Sequence, residues 1–134
     1  MTNEEICQAA YHLVCEPDTG QEGINADYLQ RSGYLLAAVC RECETAENAY
    51  RAANGKSPVS LPDTLCYQMS TSFPLSAALS GAAAFGVASL LVADENPDLS
   101  ADFRDRFRQE LDGLLASLPM QSAPIVDRYP AVWQ

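Results

Sequence analysis

From Phe73 to Ala93 the chain carries no Asp, Glu, Lys or Arg, and no other stretch restricts the fold as much. An uncharged run of this length either crosses a bilayer or lies buried inside a protein. Composition decides between the two. The run is mostly Ala, Ser and Gly, its leucines are Leu75, Leu79, Leu90 and Leu91, and Asp94-Glu95 closes it. No Lys or Arg stands close on either side to anchor a span. The run therefore predicts a buried central helix, from a Ser76 cap to about Asp94, and no membrane segment. Within it Ala78, Ala82 and Gly86, and also Ala77 and Gly81, recur four apart. They predict stripes along which another backbone approaches closely.

Apolar spacing predicts three more helices. Thr2 and Glu5 stand at capping-box spacing ahead of Ile6, Ala9, Ala10, Leu13 and Val14, a first helix ending near Cys15. Asn25 caps a second helix whose apolar face reads Tyr28, Leu29, Leu35, Leu36, Val39, Cys40, Cys43, Ala46 and Tyr50. Arg31, Arg41, Glu42, Glu44 and Glu47 are expected on or near its wetter side. Asn54-Gly55 stops it at about Ala53. Gly33, inside it, costs about 1 kcal/mol against Ala and marks a point where it can kink. Asn96-Pro97 matches an N-cap followed by proline at the first helical position. The helix it opens carries Phe103, Phe107, Leu111, Leu114, Leu115 and Leu118 on one face and ends before Pro119.

Lys56 to Pro74 holds Pro58, Pro62 and Pro74 and sustains neither period. It predicts an ordered crossing loop with a short helical turn around Pro62 to Met69. The expected fold is all-α: a compact bundle of about four helices with a long Pro-containing crossing loop and an extended C-terminal tail. Residues 1–118 form the helical domain and residues 119–134 the tail. Ile125, Val126, Tyr129, Val132 and Trp133, the only Trp, are apolar groups that either fold back on the body or dock on a partner. Ile125, Tyr129 and Trp133 are the candidate partner-binding anchors.

A chain of 134 residues suits one domain, and a net charge of −10 argues against sequence-specific nucleic-acid binding, which needs Lys and Arg to neutralise phosphates. Met1 to Glu5 carries two acids and no basic start, so no secretory signal is expected. Five cysteines, an odd number, read as reduced and buried thiols in a cytosolic chain.

Little in the sequence suggests catalysis. Cys40-Arg41-Glu42-Cys43 is a C-x-x-C, but it falls in mid-helix with no strand before it, where no helix N-terminus activates a thiol. His12 is the only His and no motif marks a nucleophile for it to serve. Asp94, Glu95, Asp98 and Asp102 read as a solvated helix start. His12 with Cys15, and Cys40 with Cys43, are each three apart. Two facing helices would thereby offer a Cys3His zinc set, although Cys is also a frequent small core residue. The expectation is a non-enzyme with no cofactor, with His12, Cys15, Cys40 and Cys43 as the alternative metal set.

Two stretches carry a family likeness. One is Glu5-Ile6-x-x-Ala9-x-x-x-Leu13 with the long helix through Tyr34-Leu35-Leu36-Ala37-Ala38. The other is Phe73-Pro74-Leu75 leading into Ala82-Ala83-Ala84-Phe85-Gly86-Val87-Ala88, then Asp94-Glu95-Asn96-Pro97 and the closing amphipathic helix. This layout resembles the small helical head–tail connector proteins (adaptor or head-completion proteins) of tailed bacteriophages and prophages. The resemblance implies a non-catalytic subunit that joins the portal to the tail, forms a ring and resides in the virion after assembly in the bacterial cytoplasm. The alternative is a small cytosolic helical adaptor or regulatory domain, stabilised by zinc if the His/Cys set assembles.

Overall fold

The structure is a computed structural model that describes residues 1–14 and 26–119. Four α-helices make the body: α1 (Asn3–Val14), α2 (Ala26–Ala53), α3 (Ser80–Leu91) and α4 (Pro97–Ser117). A 3-10 turn, Ala77–Leu79, leads into α3. The only β-type pairing among the described residues is an isolated bridge between Thr2 and Ser72. The fold is an all-α bundle, as the sequence predicts.

Helix α3 packs against all three of the others. Its Ala82, Ala83, Val87, Ala88 and Leu91 meet Ile6, Ala10 and Tyr11 of α1, Leu36, Val39 and Cys40 of α2, and Phe103 and Phe107 of α4 in one core. Full burial of each large side chain in this set contributes about 1.5–3 kcal/mol. The small residues of α3 allow the approach. A Cβ on Gly86 would lie 2.8 Å from Val39 Cγ1 and 3.2 Å from Phe107 Cδ1. Of the two expected small-residue stripes, only the Ala82 and Gly86 part of the first works this way. Ala82 and Gly86 are buried, whereas Ala77, Ala78 and Gly81 face solvent.

Helix ends follow local chemistry. Thr2 Oγ1 accepts the Glu5 N–H at 3.3 Å, and Asn96 Oδ1 accepts the Leu99 N–H at 3.1 Å, with Pro97 in the first turn. At the end of α2, Gly55 takes φ +70°. There the Gly55 N–H reaches Ala52 O at 3.2 Å and the Lys56 N–H reaches Arg51 O at 2.8 Å. This is a Schellman stop, which a glycine makes at no steric cost.

The start of α3 departs from expectation. Ser76 does not cap it: its backbone is extended, and its N–H and Oγ–H donate to Glu47 Oε1 and Oε2 at 2.9 and 2.7 Å. The helix also stops at Leu91 rather than Asp94, where Val92 takes φ −103° and ψ 6° and leaves the helical path. Glu47 corrects a second expectation. It is not on the wetter side of α2 but wholly buried, with Arg51 Nε at 2.5 Å and both Ser76 donors on its carboxylate. Leu29, placed by periodicity on the apolar face, is 52% exposed.

The crossing between α2 and α3 runs back along α2, held at successive points. Val59 N–H donates to Asn48 Oδ1 at 2.8 Å, Arg41 donates to Thr64 O at 2.5 Å, and Tyr67 N–H donates to Gly33 O at 3.1 Å. It then covers the start of α1, where Glu4 and Asn3 N–H groups donate to Met69 O and Thr71 O, each at 3.0 Å. These are α1's orphan first-turn donors, satisfied by the loop instead of by water. No helical turn forms from Pro62 to Met69. The Cys66 and Tyr67 N–H groups are committed to Thr64 Oγ1 and Gly33 O, so neither closes a helical i→i−4 bond.

Candidate docking surface

Helices α3 and α4 lie antiparallel, with Ser100 Oγ on Ser89 O at 2.7 Å near their joint and Phe85 stacked on Phe103 at 6.3 Å between centroids. The apolar stripe of α4 outlasts the core that this pairing builds. Phe103 and Phe107 are buried, Leu111, Leu114 and Leu118 are half-buried, and Leu115 is 40% exposed.

Ala78, exposed in the 3-10 turn that leads into α3, lies beside that surplus. Between them opens a groove of about 590 Å³, lined by Ala78 and Phe85 on one side and Arg106, Glu110, Gly113 and Leu114 on the other. Ala78 and Gly113 leave its floor low, since among the described residues a Cβ on Gly113 would meet nothing within 4 Å. The Arg106 guanidinium stands 5.8 Å from the Phe85 ring centroid, a cation–π contact at the rim. Arg106 and Glu110 balance in charge, so the groove is neutral on a chain of −10. Its lining mixes the apolar Ala78, Phe85 and Leu114 with the polar Arg106, Gln109 and Glu110, and it is open to solvent. That arrangement suits docking of a peptide chain.

Of the candidate zinc set, Cys40 and Cys43 are wholly buried on α2, and His12 is exposed on α1. Cys15 lies outside the described residues, as do Ile125, Tyr129 and Trp133. Among the described residues, no group of three or more His, Cys, Asp or Glu side chains is placed to hold a metal ion. Cys7, which the spacing argument did not single out, is buried with Cys40 and Cys43. Burial pushes the Cys7 thiol up to about 11 and the Cys40 and Cys43 thiols up to about 12. Cys66 is exposed and lines a second hollow of about 320 Å³ with Asn3 and Tyr67.

These environments predict a split in thiol chemistry. In native protein Cys66 labels rapidly with a thiol reagent, while Cys7, Cys40 and Cys43 label only as fast as the fold opens, as read by peptide mapping. Equal rates would contradict the core placement. The same burial makes the fold sensitive to alkali. Unfolded thiols ionise near pH 9.0 and the folded ones only at about 11 to 12. The thiol contribution to stability is thus intact below pH 9 and is lost as pH climbs towards 12, which a urea midpoint series would register.

The groove was partly legible. The Ala77/Gly81 and Ala78/Ala82 spacing is plain in the sequence, but it signals close packing without saying on which side. Comparison with protein-family models, with curated proteins and with solved structures returns no match.

Proposed function

We propose that this protein is a non-catalytic structural component of a tailed-bacteriophage or prophage particle, a head–tail connector subunit that joins the portal to the tail. The observation that carries the reading is the α3–α4 face. An open groove and a surplus of leucine end where the chain leaves α4 for a tail bearing Ile125, Tyr129 and Trp133. Aromatic anchors of this kind commonly dominate protein interfaces.

The acidic balance supports the same role. A wall of net negative charge disfavours adhesion of DNA passing through a channel. On this reading the partners are portal and tail proteins, copies of the chain form a ring on the portal, and the virion is its destination after assembly in the bacterial cytoplasm. A cytosolic adaptor domain would use the same face. Its zinc-stabilised form would draw on Cys40 and Cys43 together with His12, which is exposed, and Cys15, which lies outside the described residues.

Co-expression with the portal protein of the same genome, followed by native mass spectrometry, tests the reading. A portal ring carrying several copies of this chain is the expected species. Portal rings that carry none, with the chain recovered free, would sink it.

A further inference from the structure

We propose that the hollow between the start of α1 and the crossing loop is a binding site for a small neutral carboxamide. It measures about 320 Å³, at the lower end of the range for small-molecule sites. Asn3 of α1 lines it together with Pro62, Cys66, Tyr67, Gln68 and Thr71 of the loop. It shares no residue with the α3–α4 groove, so the proposal goes beyond the connector reading and does not depend on it.

Two unpartnered polar atoms set the ligand's chemistry. Asn3 is 1% exposed, and its Nδ2 donates to Gln68 O and to Thr71 Oγ1, each at 2.9 Å. Both acceptors belong to lining residues, so the amide is held in the wall of the hollow with its nitrogen end fixed. Oδ1 of the same planar group is buried and has no hydrogen-bond partner. Tyr67 is 5% exposed, and its hydroxyl is likewise buried without a partner. Among the described residues these are the only two buried side-chain atoms left so, and both belong to residues of one hollow. Folded proteins rarely tolerate such atoms without a reason.

Each atom restricts what can bind. Asn3 Oδ1 only accepts, so the ligand must present an N–H or O–H, while the Tyr67 hydroxyl can donate to an acceptor beside that donor. A primary or secondary carboxamide carries both. No Asp, Glu, Lys or Arg lines the hollow, so a charged ligand would find no counter-charge there. Pro62 and Pro74 offer apolar surface to the ligand's body. The two atoms lie beneath the surface of the hollow, and Thr71 and Ser72, exposed in its wall, are the part that yields to let a ligand reach them.

Cys66 reports occupancy, because it is exposed and lines the same hollow. The probe is benzamide, with N,N-dimethylbenzamide as the analogue that lacks an N–H. With a dissociation constant of about 1 mM, within reach of so small a ligand, about 10 mM benzamide is expected to slow Cys66 labelling by a thiol reagent about tenfold. The tertiary amide is expected to leave the rate unchanged, as is benzamide itself with a free thiol in solution. Tyr67→Phe deletes only the unpartnered hydroxyl. It is expected to keep a urea midpoint no lower than the parent's and to lose most of the protection. Ser72→Trp fills the hollow from an exposed position and is expected to make the labelling rate independent of benzamide. Circular dichroism verifies that both variants stay folded.

Cys66 labelling that benzamide does not slow in the parent chain would overturn the proposal. So would equal slowing by the tertiary amide, which would reduce the hollow to unselective apolar contact. Protection that persists undiminished in Tyr67→Phe or in Ser72→Trp would place the amide elsewhere and overturn it too. None of these readouts involves the portal, so failure of this site and failure of the connector reading are separately visible.

Discussion

Arg51→Met is expected to lower unfolding free energy by about 3–5 kcal/mol, towards the lower end, as the cost of stranding a buried carboxylate. Glu47 is 0% exposed, and three donors hold its charge: Arg51 Nε at 2.5 Å, Ser76 N at 2.9 Å and Ser76 Oγ at 2.7 Å. Met keeps the stem of Arg51 and removes the one formal positive charge among them. The Arg51 side chain is itself 26% exposed, so water entering its place softens the loss. The double variant Glu47→Gln/Arg51→Met is expected to recover much of it, because a neutral amide still accepts from Ser76. A urea midpoint that shifts by less than about 1 kcal/mol equivalent in Arg51→Met would rank this pair with ordinary surface ion pairs. The cluster would then not be what ties the α3 entry to α2.

The second large effect reverses a propensity rule. Gly33→Ala adds a better helix former in mid-helix, which alone would stabilise α2 by about 1 kcal/mol. Here it is expected to destabilise by about 1–3 kcal/mol net, as overpacking against a part that cannot rotate away. The new Cβ would sit 2.5 Å from Tyr67 O and 2.6 Å from Cys66 Sγ. The first of these is backbone, so the crossing loop itself must move, straining the Tyr67 N–H bond to Gly33 O. Gly113→Ala supplies the contrast. With nothing among the described residues within 4 Å of its new Cβ, it is expected to stabilise by about 0.5–1 kcal/mol. If both alanine variants stabilise, the loop does not rest on Gly33 as closely as the distances imply.

These two sites also show where sequence reasoning stops. Gly33 was visible as a weak point in a long helix, with a kink as its expected consequence. Its actual use, admitting the backbone of Tyr67, depends on a residue far along the chain. Glu47 reads as a wet-side residue because it is itself charged and its partner Ser76 lies beyond the crossing. Ser76 in turn looked like a cap because its local pattern is that of a cap; a buried carboxylate outbid the orphan amides for its donors. The groove repeats the lesson. Its small residues and its leucines stand in the sequence, but their meeting requires α3 and α4 to be antiparallel and in one register.

The chain's own order of residues determined what is settled within a few positions. Asn96 capping Leu99, Gly55 closing α2, Thr2 receiving Glu5, and the apolar repeats of four helices are short-range bonds and periodicities. Their free energies are largely decided before distant parts meet. Tertiary structure decided the rest: the burial of Glu47, the path of the crossing, the solvent side of Ala77 and Gly81, and the pairing that opens the groove. Each of these sets a local preference against a contact between residues far apart in the chain. In a close-packed interior the contact prevails, because an unpaired buried charge or a backbone overlap costs more than a cap or a helix propensity returns.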